Sequence, residues 1–270
     1  MSTSVVTVCL NAVGTIAATI KSVLAQGDQL VDYVIVDGGS TDGTLDIVQA
    51  YAESSGGQLS WSSAPDHGIY DAMNFGLTRA SGDFILFLGA DDTLLEGALG
   101  FFDEAIAANP ESDLVYGEAL LVDASGRARL QRAQKVVRSI AGIPRTLPVC
   151  HQACAFSARA LTALRGFDAS YRIAGDYEFY LRFHEAGLLG SGVERPVVAF
   201  GRAGVSSRLG RATALEYRRA RVAHGIPAWR ADLELLRAYA GLVGTRILWP
   251  RPRDESPTGP GDPSATGSEG

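Results

Sequence analysis

The sequence FILFLGADDTL, residues 84–94, decides the fold, because five large apolar residues run through Gly-Ala directly into two adjacent aspartates. An unbroken apolar run of this kind is typical of a strand buried on both faces of a sheet. Neighbouring carboxylates repel one another, so folding alone seldom requires Asp91 to stand beside Asp92. Two explanations are open: Asp92 caps a helix that begins at Thr93, or the pair holds a cation next to a ligand.

Strand and helix patterns alternate around this stretch. Apolar, β-branched runs predict further strands at residues 4–10, 31–37, 58–62 and 113–117, and a strand entering a helix at 150–161. Apolar residues at helical spacing predict helices at residues 14–26, 41–53, 69–80, 94–108, 175–188 and 212–249. This alternation predicts an α/β fold with a mostly parallel sheet flanked by helices.

Small and polar residues follow three of the predicted strands. These residues are Asn11, the turn Asp37-Gly38, and the pair Asp91 and Asp92. Ligands of open α/β sheets bind beyond the carboxyl ends of the strands, so we expect these side chains to meet at one edge. The glycines after Asp37 allow a nucleotide to approach the backbone closely, although a tight turn before a capped helix explains them equally well.

Further candidates for a binding site lie at helix entries. In PDHGIYDAMNFGLTRASGD, residues 65–83, Asp71 and Asn74 are one helical turn apart. Asp176 precedes an aromatic-rich helix, where it serves either as the N-cap or as a general base. His151 lies before an apolar segment, where it either lines the same cleft or belongs to the core.

The composition is that of an ordinary globular protein, with 270 residues, 46% hydrophobic and 20% charged. The three cysteines, Cys9, Cys150 and Cys154, form neither a disulfide framework nor a zinc motif, so we expect a cytoplasmic protein. A signal-peptide pattern and an apolar run long enough to span a membrane are both absent. No nucleic-acid partner is expected.

Charge is distributed unevenly along the chain. Residues 1–130 contain 4 Lys/Arg against 18 Asp/Glu, whereas residues 202–253 contain 11 Arg against 3 acids. We expect a catalytic domain at 1–207, a basic helical segment at 208–249 and a disordered tail at 250–270. The basic segment either lies on an anionic membrane surface, where a lipid-linked acceptor would be presented, or packs against the domain or a second copy.

Taken in order, five motifs resemble the family 2 glycosyltransferases of the GT-A fold. They are VTVCLNAVGTIAATIKSVLAQ, VIVDGGSTDGT, PDHGIYDAMNFGLTRASGDFILFLGADD, HQACAF and AGDYEFYLRF. The resemblance covers roughly residues 3–207 and looks most like the bacterial branch that builds polysaccharides and glycolipids. It implies an inverting transfer from a UDP, dTDP or GDP sugar to a hydroxyl of a saccharide or lipid-linked acceptor.

The resemblance also implies roles for individual residues. Asp92 would hold Mn²⁺ or Mg²⁺, and Asp176 would be the general base. The nucleotide and donor would be bound by Leu10, Asn11, Asp37, Gly38, Asp66, Asp71, Asn74 and Asp91. The cleft for donor sugar and acceptor would be lined by His151, Gln152 and Tyr177.

Three positions depart from the family pattern. Ala90 replaces the first member of the Asp-x-Asp triplet, and Gly175 stands where Glu often precedes the catalytic aspartate. The late Gly-Gly-x-Ser pattern is matched only weakly by AGVS at residues 203–206.

Two other functions compete with this one. A nucleotidyltransferase would usually carry a glycine-rich loop with basic residues near the first strand, but the first basic residue here is Lys21. A non-catalytic nucleotide-sugar-binding subunit would not need Asp92 and Asp176.

Overall fold

The structure is a computed structural model, and it describes residues 2–123, 125–132, 149–201, 211–233 and 236. The strands in this part are β1 (Thr3–Cys9), β2 (Leu30–Asp37), β3 (Leu59–Ser63), β4 (Phe84–Gly89), β5 (Thr93–Leu94), β6 (Leu114–Val122), β7 (Ala128–Gln131), β8 (Cys154–Ser157) and β9 (Gly190–Gly201). They form one sheet in the order β3-β2-β1-β4-β8-β6-β9-β5, with β7 paired to β6.

Helices flank this sheet, as the sequence predicts. They are α1 (Ile16–Leu24), α2 (Thr44–Ser54), α3 (Ile69–Leu77), α4 (Ala98–Ala108), α5 (Ala158–Ala163), α6 (Gly175–Glu185) and α7 (Arg211–Ala223), with short 3-10 helices at Gly27–Gln29 and His151–Ala153. Residues 228–233 are also helical.

The first four strands are parallel and end at the same level. Cys9 at the end of β1 pairs with Asp37 at the end of β2, and Val8 pairs with Gly89 of β4. β3 continues this arrangement, since Ser63 pairs with Asp37. The residues that follow these strands therefore share one edge of the sheet.

The other half of the sheet is mixed. β8 pairs antiparallel with both β4 and β6, β5 pairs antiparallel with β9, and β6 and β9 are parallel. The prediction of a mostly parallel sheet thus describes the β3-β2-β1-β4 half, because period-2 apolar runs do not encode strand direction.

Alternate residues of the central strands pack on the two faces of the sheet. Val5 and Leu86 lie in a core with α1, α2 and α4, while Val6 and Phe87 lie in a second core with α3, α5 and α6. Ala220 of α7 is fully buried in this second core. Burial on both faces explains the unbroken apolar run in β4.

One expected helix start and one expected N-cap are wrong. The helix predicted from residue 94 begins at Ala98 with Gly97 as its N-cap, because residues 93 and 94 pair with β9 as β5 instead. Asp92 therefore does not cap a helix. The N-cap of α6 is Ala174, which places Asp176 inside the first turn.

Several sequence predictions lie outside the described residues. These are the AGVS motif at 203–206, most of the predicted helix beyond residue 233, the tail at 250–270, and residues 133–148 of the arginine-rich stretch.

Candidate active site

The turn after β2 is organised around the buried carboxylate of Asp37. Its Oδ2 accepts hydrogen bonds from Gly39 N at 2.9 Å, Ser40 N at 2.8 Å and Ser63 Oγ at 2.7 Å. Its Oδ1 accepts a hydrogen bond from Ser40 Oγ. Burial raises the pKa of Asp37, but the hydrogen bonds from Ser40, Ser63 and Gly39 outweigh it and hold the pKa below its ordinary value. The carboxylate is therefore ionised without a cation.

The end of β1 is fastened to the same turn. Asn11 adopts a left-handed backbone conformation with φ of 51°. Its backbone N donates to Ser40 Oγ at 2.7 Å, and its Oδ1 accepts from Thr41 N at 3.0 Å. This geometry leaves the preceding Leu10 side chain 58% exposed.

Gly38 brings two other predicted residues into contact with the turn. A Cβ atom added to Gly38 would lie 2.6 Å from Asp66 Oδ2 and 3.6 Å from Leu10 Cδ1. Asp66 is fixed by its Oδ1, which accepts from Gly68 N at 2.9 Å. Leu10, Gly38 and Asp66 thus form one continuous surface.

Asp71 lies at the start of α3 and is exposed. Its Oδ2 accepts from His67 N at 3.1 Å and lies 3.3 Å from His67 Nδ1. Hydrogen bonds from His67 hold the pKa of Asp71 below its ordinary value. Asp71 is an ionised group near the Asp66 loop, already engaged with its neighbour.

The aspartate pair lies over Gly89 at the end of β4. Asp92 is only 1% exposed, and its two oxygens accept from Gly89 N at 3.1 Å and Gly201 N at 3.0 Å. A Cβ atom on Gly89 would lie 2.7 Å from Asp92 Oδ2 and 3.2 Å from Asp91 Oδ1. The two carboxylates therefore lie side by side above this glycine.

Both carboxylates of this pair are difficult to ionise. Burial, and after it the negative charge of Asp91, raise the pKa of Asp92 to about 7. Burial also raises the pKa of Asp91. Among the described residues, no basic side chain forms an ion pair with either carboxylate. A buried carboxylate beside a half-buried one, with no ion-pair partner among the described side chains, is suited to a cation.

The donor set fits a hard divalent ion that is shared with a ligand. Mg²⁺ and Mn²⁺ prefer oxygen ligands, and one or two carboxylates suffice when substrate phosphates supply the rest. Within the described ranges, no group of three or more His, Cys, Asp or Glu could hold a metal ion by itself. Asp91 and Asp92 would therefore hold such an ion jointly with a diphosphate.

Asp176 is half-buried in the first turn of α6. Its Oδ1 accepts from Tyr177 N at 2.7 Å and lies 3.3 Å from the Tyr70 hydroxyl. That hydroxyl also lies 2.8 Å from Ile173 O, so its single proton is shared between the two acceptors. Burial raises the pKa of Asp176 to about 6, against the opposing hydrogen bonds.

The glycine that precedes Asp176 has a steric explanation. A Cβ atom on Gly175 would lie 2.6 Å from the ring of Tyr70, which packs against this turn. A larger residue at position 175 is incompatible with this position of Tyr70.

The Cys150 thiol interacts electrostatically with both Asp92 and Asp176. Burial, and after it the negative charge of Asp92, raise the pKa of the Cys150 thiol to about 12, and the charge of Asp176 adds to the effect. The segment that carries Cys150 is therefore near both carboxylates, which brings Asp92 and Asp176 into one region. Gln152 belongs to this segment and is half-buried, with its Oε1 accepting from Cys150 Sγ at 3.3 Å.

Two residues expected to line the cleft lie in the core instead. His151 is 7% exposed, its ring stacks on Phe87 at 6.1 Å, and burial lowers its pKa to about 4. Tyr177 is 0% exposed, and its hydroxyl accepts from Arg221 Nε at 2.9 Å. Neither side chain lines the cleft as expected, because both pack against aromatic rings on this face of the sheet.

Asn74 also has a structural role. Its Nδ2 donates to Phe167 O at 2.8 Å, and its Oδ1 accepts from Phe167 N at 2.8 Å. The amide thereby ties α3 to the loop after α5, and we do not retain it as a ligand of the donor.

Sequence reasoning missed several residues that shape these centres. Ser63 holds Asp37, and only the pairing of β3 with β2 could have pointed to it. Gly201 donates to Asp92 from a strand far along the chain, which no local pattern signals. Glu216, described below, likewise contributes from a distant helix.

Comparison with known proteins agrees with this architecture. The sequence profile described as "Glycosyl transferase family 2" matches residues 4–159. The chain is 34% identical over 180 residues to the PGL/p-HBAD biosynthesis glycosyltransferase of Mycobacterium tuberculosis, covering 66% of this chain and 68% of that protein.

Solved structures share the fold at low sequence identity. S. aureus TarS 1–349 in complex with UDP-GlcNAc matches with a TM-score of 0.67 and 20% identity, over 92% of this chain and 73% of that one. Mannosyltransferase PcManGT from Pyrobaculum calidifontis, in complex with GDP-Man and Mn²⁺, matches with a TM-score of 0.62 and 20% identity, over 92% and 75%. These neighbours have the GT-A fold, so the predicted fold class is confirmed.

Proposed function

Because this chain belongs to glycosyltransferase family 2, we propose that it transfers a sugar from a nucleoside-diphosphate sugar to a hydroxyl of a saccharide or lipid-linked acceptor. The reaction would invert the anomeric carbon and serve the synthesis of cell-surface polysaccharide or glycolipid. The observation that carries this proposal is the buried Asp92 with the half-buried Asp91 beside it, neither paired with a described basic side chain, at the same sheet edge as the preformed Asp37 turn. The two solved structures named above, which share the fold, contain UDP-GlcNAc and GDP-Man respectively, which supports a donor of this class.

The nucleotide would bind where β1, β2 and β3 end. Leu10, 58% exposed, offers an apolar surface for a planar base, and the backbone near Asn11 completes that side. Asp66, held against Gly38, is placed to accept hydrogen bonds from ribose hydroxyls. Asp37 would act through the turn it holds together, which is rigid before the ligand arrives.

The diphosphate would lie at the end of β4. Asp92, with Asp91 beside it, would hold Mn²⁺ or Mg²⁺, and such an ion when bound acts as a Lewis acid on the departing diphosphate. Asp91 is the less buried of the pair and would lie nearer the ribose and donor sugar.

Asp176 would be the general base. Its carboxylate takes the proton of the acceptor hydroxyl while that oxygen bonds to the anomeric carbon and the bond from carbon to diphosphate oxygen breaks. With a pKa of about 6, it is ionised at neutral pH yet a stronger base than an ordinary aspartate. Gln152 remains the candidate for contact with the sugars, and Asp71 for the rim of the donor site.

A lipid-linked acceptor would bring the enzyme to the cytoplasmic face of a membrane. In the described part of the chain, none of the helices has the length and hydropathy to span a bilayer. Exposed apolar side chains support a peripheral contact instead: Leu215 is 48%, Val222 38%, Trp229 70% and Leu236 65% exposed. The excess of arginine in the surrounding residues 202–253 favours anionic lipid.

Vesicle flotation separates this contact from simple packing on the domain. The wild type should float with phosphatidylglycerol vesicles and remain below with phosphatidylcholine vesicles, and Trp229→Glu should weaken flotation. If the wild type floats with neither kind of vesicle, the membrane contact is wrong, and α7 and the helical residues 228–233 only pack on the domain.

A donor assay tests the main proposal. Release of nucleoside diphosphate would be measured with Mn²⁺ and UDP-GlcNAc, UDP-glucose, dTDP-glucose or GDP-mannose, with Asp92→Asn and Asp176→Asn as controls. We expect the wild type to turn over at least one donor and both variants to do so much more slowly. A nucleotidyltransferase would instead release pyrophosphate from a nucleoside triphosphate, and a non-catalytic subunit would bind a donor without turnover; either result contradicts the proposal.

A further inference from the structure

The N-cap position of α6 carries no side-chain acceptor, although Asp176 Oδ1 accepts from Tyr177 N within the first turn. The first backbone N–H groups of a helix have no partner within the helix, and a side chain at the N-cap usually supplies one. Here the N-cap is Ala174, which has no side-chain acceptor. The preceding residues, Arg172 and Ile173, offer no acceptor side chain either.

Glu216 of α7 supplies an acceptor to the N-cap residue Ala174 and to the two residues that precede it. Its carboxylate accepts from Arg172 N at 3.1 and 3.2 Å, from Ile173 N at 2.8 Å and from Ala174 N at 2.9 Å. A negative charge at this position also interacts favourably with the positive end of the helix dipole. The backbone immediately before the catalytic turn is thus held by a charged group from α7.

Aromatic and hydrogen-bonding contacts fasten α7 at this place. The ring of Tyr217 packs on that of Tyr177 with 4.6 Å between centroids, and Arg221 Nε donates to the Tyr177 hydroxyl at 2.9 Å. Two residues that follow Glu216 in α7 therefore contact the same residue of α6, Tyr177. Burial, and after it the charge of Asp176, raise the pKa of Tyr217. Tyr217 therefore lies close enough to the proposed base to interact with its charge.

We propose that Glu216 is a positioning residue for Asp176, acting through the backbone of residues 172–174; this inference rests on the proposed function. Asp176 is held from one side by Tyr70 of α3, whose hydroxyl contacts Ile173 O and Asp176 Oδ1. Glu216, on α7 of the same chain, holds the same short segment through its hydrogen bonds. Among the described residues no basic side chain pairs with Asp176, so its direction depends on the Tyr70 hydroxyl and on the local backbone, including Tyr177 N.

This arrangement extends the catalytic unit beyond the family match. The match ends at residue 159, before both Asp176 and α7. The first helix of the basic segment is then a part of the transfer machinery rather than an appendage.

Glu216→Gln tests this role against a matched control, Glu185→Gln. Both substitutions remove one negative charge from the contact between α6 and the α7 region, but Glu185 binds His224 Nδ1 at 2.9 Å at the other end of α6. Both variants would be assayed with the donor that the wild type turns over fastest, with UDP or GDP affinity and thermal melting measured alongside.

We expect Glu216→Gln to lower kcat about tenfold, because a misdirected catalytic group loses rate steeply. Its KM for the donor and its nucleoside-diphosphate affinity should match the wild type, and Glu185→Gln should retain kcat. Glu216→Gln keeps the side-chain volume and one acceptor, so it carries the test if Glu216→Ala fails to fold.

Other outcomes overturn the inference. An unchanged kcat in Glu216→Gln contradicts it directly, and an equal loss in Glu185→Gln reduces Glu216 to general helix docking. An inactive wild type overturns the proposed function, and this inference with it.

Discussion

Asp37 and Asp92 lie at the ends of strands in the same parallel half of the sheet, and each is 1% exposed, yet their electrostatics are opposite. Hydrogen bonds outweigh burial and lower the pKa of Asp37, whereas burial and Asp91 raise the pKa of Asp92 to about 7. Neither side chain is open to solvent, but Asp92 is more deeply surrounded by protein, so burial is the main cause that raises its pKa. The larger number of hydrogen-bond donors at Asp37 and the charge of Asp91 beside Asp92 widen the difference. The Asp37 centre is ionised and fully hydrogen-bonded as folded, whereas the centre at Asp92 is where we propose that a cation binds.

The largest expected effect concerns Asp176, the proposed base. Asp176→Asn should lower kcat by about 10² to 10⁴, because the proton acceptor is lost. The donor KM should not change, since the Asp37 turn is untouched, and steady-state kinetics measures both. A rise in KM with kcat preserved would assign Asp176 to binding instead.

Removing the charge from the Asp37 centre should cost stability. Asp37→Asn presents an amide N–H₂ to hydrogen-bond donors and should lower the free energy of unfolding by about 1–3 kcal/mol. Because folding lowers the pKa of Asp37, its ionised carboxylate stabilises the wild type fully above the ordinary aspartate pKa of about 3.9. This stabilisation is lost as the pH falls below that value.

Urea denaturation at neutral and acidic pH measures this contribution, with Mn²⁺ omitted. A variant as stable as the wild type at neutral pH would contradict the assignment of Asp37 as the organiser of the turn.

A smaller effect is expected from a single methyl group in the nucleotide surface. The Cβ of Gly38→Ala would lie 2.6 Å from Asp66 Oδ2 and force this carboxylate aside, which should raise the donor KM about tenfold, or 1.4 kcal/mol. Gly14→Ala is the control, because an added Cβ there meets nothing within 4 Å. Equal donor KM values for Gly38→Ala and Gly14→Ala would contradict the proposal that Asp66 binds the donor.

The smallest effect concerns the pH dependence. Protonated Asp176 is inactive as a base, so kcat should fall as the pH drops below about 6. The Tyr70 hydroxyl lowers this pKa, so Tyr70→Phe should move the acidic limb to higher pH. Tyr33→Phe, which removes a buried hydroxyl bound to Thr7, should leave the limb in place, whereas an equal movement in both would indicate a general change of the fold.

The sequence was informative wherever a local pattern determines the structure. The apolar run in β4 and the small residues after β1 and β2 predicted which side chains meet at the edge, since parallel strands carry their carboxyl ends together. Asp92 was mistaken for a possible cap because the pairing of β5 with β9 depends on residues about a hundred positions away. His151 and Tyr177 were expected in the cleft because burial by distant aromatic and helical partners leaves no local signal.

Dependence of nucleotide binding on Mn²⁺ tests the centre at Asp92 most directly. Calorimetric titration with UDP and GDP would be run in EDTA and in Mn²⁺, on the wild type, Asp92→Asn and the control Asp103→Asn, another carboxylate whose pKa burial raises. We predict that Mn²⁺ strengthens nucleotide binding in the wild type and in Asp103→Asn, and that Asp92→Asn loses this gain. Equal affinity of the wild type with and without Mn²⁺ would contradict a cation site shared by Asp91, Asp92 and a diphosphate.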